Sequence, residues 1–181
     1  MTATLRKTIS ASPLISRVRW LSLTAVVVLL DRATKFWFEA RTSESYRHEV
    51  IHKLVYLVHS SNPGIAFSVF ADSDSPWLKI LLIGGSILVV ILLTFLLING
   101  KTGGPMTHSG LALLIAGATG NVTDRILHGA VTDFLEVWLG SYRWPAFNVA
   151  DAAITIGAAL VLLDAIFGAR GVEPASTRKR A

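Results

Sequence analysis

The side chains in this sequence that could do chemistry are carboxylates, hydroxyls, lysines and histidines, and the carboxylates are the informative group. There is no cysteine, which removes thiol nucleophiles, thiolate metal sites and disulfides together. The histidines His48, His52, His59, His108 and His128 form no HExxH pair and are expected mainly on loops, facing solvent. The aspartates have more regular company. Asn121 stands three residues before Asp124 and Asn148 three before Asp151, so on helices each amide shares a face with its carboxylate. Asp31 and Lys35 are four apart, in the order that favours an ion pair, and are expected to hold a helix end. Asp124 is followed directly by Arg125, a cation expected to keep it ionised as an anchor. Asp133, in Gly129-Ala130-Val131-Thr132-Asp133-Phe134, has no such neighbour, and partial burial beside a second carboxylate would raise its pKa. Asp133 and Asp151 are therefore the expected pair. Two close carboxylates cannot both ionise easily, so they share a proton and supply a general base and a general acid at one pH. Glu136 is expected to be interfacial or solvated, and Asp164 to lie toward the far end of its helix.

The elements that must position these groups are set by composition. The chain has 181 residues, 52% of them hydrophobic and only 16% charged, with a mean hydropathy of +0.55, which is too apolar for an ordinary soluble domain. Crossing a hydrocarbon layer takes about 20 helical residues. Four stretches qualify, about 19–38, 77–98, 108–127 and 145–168, giving an all-α polytopic membrane protein as the expected fold class. The second stretch is the clearest, since Lys79 at its end is its only charge. The third is rich in glycine and alanine, as expected where helices pack closely in lipid. The fourth opens on Pro145, a residue suited to a helix's first turn. The first meets Asp31 and Arg32 before it has crossed and needs Phe36, Trp37 and Phe38 to finish. A cleavable signal peptide is the rival reading of that stretch, but the charges and bulky aromatics where a small-residue cleavage region belongs favour a retained helix.

Charge gives the orientation. The net charge is +5, and the basic residues gather at the two ends of the chain, so lipid headgroups and not nucleic acid are the expected partner. Arg6, Lys7, Arg17 and Arg19, then Lys101, then Arg170, Arg178, Lys179 and Arg180 all fall on one side of a four-span layout, which puts both termini in the cytoplasm. Segments 1–16 and 169–181 read as polar tails flanking one membrane domain, 17–168. The loop 39–76 is long; Val50–Val58 predicts a small β element in it, and Asn62-Pro63-Gly64 predicts a turn. In this layout Asp31 and Lys35, then Asn121, Asp124 and Arg125, then Asn148 and Asp151 all reach the outer leaflet from different helices. Polar groups inside spans normally face the protein interior and mark functional sites.

Four stretches together resemble the bacterial lipoprotein signal peptidase (signal peptidase II) family. They are Asp31-Arg32-Ala33-Thr34-Lys35; Asn62-Pro63-Gly64-Ile65-Ala66-Phe67; Gly120-Asn121-Val122-Thr123-Asp124-Arg125 running on to Thr132-Asp133-Phe134; and Phe147-Asn148-Val149-Ala150-Asp151. They occur in the family's order, and the likeness covers roughly residues 15–168. It implies four helices in a bacterial cytoplasmic membrane, an extracytoplasmic loop that cradles substrate, and metal-free, cofactor-free cleavage of prolipoproteins just before a diacylglyceryl-modified cysteine. Asp133 and Asp151 match the catalytic aspartates. Asn62, Asn121, Arg125 and Asn148 match positions that shape the site or touch substrate, and Asp31, Lys35 and Asp124 match the supporting network. Ile65 and Ser68 depart slightly from the family's habit. Nothing in the sequence calls for a partner subunit, so a monomer is expected.

Two other classes use the same residues. A small proton- or ion-coupled transporter would want polar groups along the whole membrane depth, whereas here they crowd one leaflet. A metal-dependent lipid-processing enzyme would use the aspartates as oxygen ligands.

Overall fold

The computed structural model describes residues 18–64, 76–99 and 103–167. The expected tails 1–16 and 169–181, and Ile65, Ala66, Phe67 and Ser68, lie outside the described residues. Four long helices, α1 (Trp20–Arg41), α2 (Pro76–Asn99), α3 (Pro105–His128) and α4 (Val149–Phe167), carry four strands, β1 (Arg47–Ile51), β2 (Val55–Asn62), β3 (Val131–Leu139) and β4 (Tyr142–Phe147). The strands form one antiparallel sheet in the order β1-β2-β3-β4.

The helices occur where apolar length demands them. Lys79–Asn99 and Val149–Phe167 are long and apolar enough to cross a membrane, with mean hydropathies of 3.0 and 2.0. They turn their large apolar side chains outward: Leu81 is 69% exposed and Phe95 65%. α1 and α3 are as long, with 22 and 24 residues, but are interrupted by Asp31, Arg32 and Lys35 and by Asn121, Asp124 and Arg125. α3 starts with Pro105 in its first turn and stops at Gly129, whose φ of 76° is the left-handed conformation that ends helices. It is the central helix, packed against α1, α2 and α4. Its glycines make this possible. A side chain at Gly117 would strike the Ala150 carbonyl, and one at Gly110 would come within 2.7 Å of the Gly157 carbonyl. Asp164, near the end of α4, accepts hydrogen bonds from the Gly104 N–H at 3.2 Å and from the Thr107 hydroxyl, capping the start of α3.

Two expectations need correction. First, the protein is not all-α: the sheet takes in residues 131–147 as well as the loop between the first two helices. Second, α4 does not start at Pro145. Leu135↔Phe147, Val137↔Trp144 and Leu139↔Tyr142 pair across the β3–β4 hairpin, so Pro145 belongs to a strand. β4 is an edge strand, where a residue without an N–H is tolerated. The β element expected over Val50–Val58 does form, as a hairpin of β1 and β2 with Lys53 at φ 55° in the turn and its N–H donating to Glu49. The turn expected at Asn62-Pro63-Gly64 does form, since the Gly64 N–H donates to Asn62 Oδ1 at 3.1 Å.

A buried ion cluster joins α1 to α3. Lys35 Nζ lies 2.8 Å from Asp31 Oδ2 and 2.7 Å from Asp124 Oδ2, and all three side chains are 0% exposed. Arg32 completes the set by pairing with Asp124. Asp31 Oδ1 in turn accepts the Ala150 N–H in the first turn of α4 at 2.9 Å, where the helix dipole favours a negative charge. The cation on Asp124 is thus Lys35 and Arg32, not the adjacent Arg125. Two positive and two negative groups balance, which is the condition for keeping charge out of water. Replacing Lys35 by Met leaves Asp31 without its cation and is expected to cost about 3–5 kcal/mol of stability. Thermal unfolding in detergent would register this as a large fall in midpoint, and an unchanged midpoint would contradict it.

Candidate active site

Asn148 and Asp151 are held together by the start of α4. The Asp151 N–H donates to Asn148 Oδ1 at 2.9 Å, and the Asn148 N–H donates to Asp151 Oδ2 at 3.3 Å. This reciprocal arrangement is a capping box, with Asn148 as N-cap and Asp151 as the third helical residue. Their three-residue spacing therefore reflects a helix end, not two residues stacked on a helix face. β3 delivers Asp133. Ser60↔Asp133 pairing sets its register, and Phe38 of α1 stacks on Phe134 at 4.6 Å between ring centroids.

The amides bind the two carboxylates together. Asn148 Nδ2 donates to Asp133 Oδ1 at 2.7 Å and Asn62 Nδ2 to Asp133 Oδ2 at 3.1 Å. Asn121 Nδ2 donates to Asp151 Oδ1 at 2.7 Å. The orientation of Asn121 is dictated from the other side, because its Oδ1 accepts from Lys35 Nζ at 3.2 Å and from Asn148 Nδ2 at 3.4 Å. With that oxygen taken by cation and amide donors, its NH2 has to face Asp151. The ion cluster thus reaches the carboxylate pair through a single amide.

Asp133 is 2% exposed. Burial pushes its carboxyl up to about 7, the negative charge of Asp151 adds to the rise, and the donations from Asn62 and Asn148 only partly oppose it. The pair therefore holds a proton near neutral pH.

Both aspartates open on a cavity of about 750 Å³. Asn62, Asn121 and Arg125 line its polar end, and Leu81, Gly85 and Val89 of α2 face Ile154, Thr155 and Ile156 of α4 across its apolar part. Arg125 anchors the turn after β2, donating through Nη2 to the Gly64 carbonyl at 2.6 Å and through Nη1 to the Asn121 carbonyl at 3.2 Å. Its Nε is buried without a hydrogen-bond partner among the described residues. Every residue expected to serve the site is thus in one connected assembly: Asp133, Asp151, Asn62, Asn121 and Arg125 at the cavity, the buried Asn148 bonded to both aspartates, and Asp31, Lys35 and Asp124 behind them.

Glu136 departs from expectation. It is 0% exposed, bonded by Arg47 Nη1 at 2.7 Å, Arg143 Nε at 2.6 Å and Trp138 Nε1 at 2.6 Å. Burial acts to raise its pKa, but the Trp138 donor and the two arginines prevail and hold it below the usual carboxylate range. It is a clamp across β1, β3 and β4, which sequence separation concealed. The histidines also divide. His48, His52 and His128 are exposed, but His59 Nδ1 lies 2.9 Å from the Thr42 hydroxyl and His108 Nδ1 2.7 Å from the Gly104 carbonyl. Ligand atoms of Glu39, Asp124 and His128 lie within 4.8 Å of one another, as a metal site would require. Asp124 there already carries Lys35 and Arg32, and Glu39 accepts from Thr132 at 2.7 Å, so the donors of that cluster are spent on the protein itself.

The profile of the family described as Signal peptidase (SPase) II matches residues 23–167. The chain belongs to the signal peptidase II family. Among curated members, this peptidase is 38% identical over 149 residues to the lipoprotein signal peptidase of Solibacter usitatus, covering 81% of this chain and 91% of that protein. It is 36% identical over 152 residues to that of Psychromonas ingrahamii, covering 84% and 87%. Two solved structures, each titled a bacterial membrane enzyme structure, share the fold. One superposes with a TM-score of 0.76 at 25% identity over 90% of this chain and 95% of its own, the other with 0.73 at 26% over 83% and 94%. The chain is accordingly an aspartic peptidase with the fold of a membrane enzyme, and the transporter alternative finds no support.

The raised value of Asp133 fixes a sign for the pH dependence. A carboxyl that titrates near 7 is protonated below that pH and loses its proton above it. Turnover that needs one shared proton is expected to fall as pH rises through about 7, with the apparent value belonging to the pair. A detergent-micelle rate profile between pH 5 and 9, roughly spanning that value, checks this; a rate still climbing at the alkaline end would refute it.

Proposed function

We propose that this peptidase uses Asp133 and Asp151 to hydrolyse the peptide bond just before a diacylglyceryl-modified cysteine, releasing signal peptides from prolipoproteins in the bacterial cytoplasmic membrane. The observation that carries the reading is the pair of amide-bridged carboxylates at the polar end of one cavity, Asp133 buried and titrating near neutrality and Asp151 half-buried beside it. The ionised member takes a proton from water, and the resulting hydroxide adds to the scissile carbonyl carbon. The protonated member gives its proton to the carbonyl oxygen. The tetrahedral adduct then collapses, a proton passes to the leaving nitrogen, the C–N bond breaks, and the signal peptide leaves as a carboxylic acid with a free amine on the cysteine. The two roles are held by the pair jointly. Asn148 bridges both aspartates and orients them. Asn62 and Asn121 restrain one carboxylate each, and Arg125, which lines the cavity, supplies a cation for a substrate carbonyl or lipid oxygen.

In the same reading all four helices cross the bilayer, with α1 and α3 able to do so because their charged groups face one another inside the bundle. Both termini are cytoplasmic and the pair sits toward the outer leaflet. Membrane lipids surround a monomer, and diacylglyceryl-modified prolipoproteins are its partners. Acyl chains concentrate the substrate in the leaflet that holds the site.

The test is cleavage of a diacylglyceryl-modified prolipoprotein peptide by the detergent-reconstituted protein with chelator present. Asp133→Asn and Asp151→Asn are each expected to lower kcat by about 1,000-fold or more while the proteins still fold and bind substrate. The unlipidated peptide is expected to be cleaved far more slowly than the acylated one. Full activity in either variant, or equal rates for the two peptides, would refute the assignment.

A further inference from the structure

The described glycines of the helices fall into two groups. Those of α3 and α4 have a packing reason: a Cβ at Gly110 or Gly157 would meet the other's carbonyl oxygen at 2.7 Å, one at Gly117 would strike the Ala150 carbonyl, and one at Gly120 would come within 2.5 Å of Asp31 Oδ2. Gly84 and Gly85 of α2 have none, since no described atom lies within 4 Å of a Cβ built at either position. Glycine also weakens a helix relative to alanine, so among the described residues Gly85 has no packing partner to explain it, and it adds nothing to helix stability. What distinguishes it from Gly84 is that it lines the cavity of the aspartate pair.

The cavity runs away from that pair as a trench. Its α2 wall extends from Leu81 to Val89, roughly 12 Å at the helical rise of about 1.5 Å per residue. Across it stand Thr155 and Ile156 of α4, and Ala118 of α3 lines it between them. α2 runs inward from Pro76 and α4 inward from Val149, so the trench leads from the outer-leaflet pair toward the cytoplasmic side. A signal peptide reaches the site from the cytoplasmic side, so the residues before its scissile bond lie along that path, whereas the acylated cysteine follows the bond.

On the functional reading above, we infer that Gly85 is a specificity-determining residue, whose missing side chain leaves room in the trench for a bulky apolar side chain upstream of the scissile bond. A wall of roughly 12 Å is spanned by about four residues of extended chain or about eight of helix. The side chain that Gly85 admits therefore stands within about eight residues before the cut.

Two series of diacylglyceryl-modified peptides test this, one with alanine and one with phenylalanine at each position in that interval, cleaved by wild type, Gly85→Ala, Gly85→Leu and Gly84→Leu. Gly85→Leu is expected to lower kcat/KM for the phenylalanine peptide at one position at least tenfold more than for its alanine counterpart, mainly through KM. Gly85→Ala should fall between, and Gly84→Leu should follow wild type. Equal slowing of both series, no slowing, or a loss that tracks acyl-chain length and not side-chain size would overturn the inference. So would a Gly85→Leu protein that fails to fold, because it would contradict the open space on which the inference stands. Wild type that cleaves no acylated peptide would instead defeat the functional reading.

Discussion

The amino group of Lys35 is the point on which the structure turns. An ammonium with no exposure to solvent is tolerable only if every direction of its charge is answered, and here Asp31, Asp124 and Asn121 answer it. Because these partners come from α1 and α3, and Asp31 also accepts the Ala150 N–H of α4, three helices are fixed relative to one another by one charge. The same cation sets the rotation of the Asn121 amide, and that amide bonds Asp151. The buried ion cluster and the candidate catalytic pair therefore form one continuous network. Groups left half-satisfied in a low-dielectric interior are costly, so loss at one end is felt at the other.

The sheet solves a different problem. Asp151 comes with its helix, but Asp133 must be brought to it from a strand. β3 does this by pairing with β2 on one side and β4 on the other, so that Asn62, at the end of β2, reaches the same carboxylate. Glu136, three residues further on, clamps β1 and β4 through Arg47 and Arg143. Phe38 and Phe134 stack where α1 meets β3, and Thr132 bonds Glu39 beside them. The strand that carries a catalytic candidate is thus held by polar contacts along one side and by its neighbours in register.

How much of this was legible in the sequence follows from the range of each interaction. α2 announced itself through unbroken apolar length, and it is within one residue of its expectation at each end. The aspartate pair and its amides were legible because buried polar groups among apolar runs are few and need a reason. The β3–β4 hairpin was not, since Val131–Leu139 follows directly on α3 and Pro145 offers the same local signal at a helix start as on a sheet edge. Glu136 looked solvated for a similar reason: one of its arginines lies in β1, far away in the chain. Arg125 likewise misled, because adjacency in sequence suggested a bond to Asp124 that the helix geometry gives to Lys35 and Arg32.

The capping box at the start of α4 has a consequence for when the protein becomes active. Asp151 is at once the third residue of that helix and half of the carboxylate pair, and its bonds to Asn148 exist only once the helix has begun. Asn148 holds Asp133 only in that same geometry. A chain still being synthesised and threaded into the membrane, with its first three helices and β3 in place, has one acid and no partner for it. On the proposed roles of these two aspartates, hydrolytic competence arrives together with the docking of the last helix.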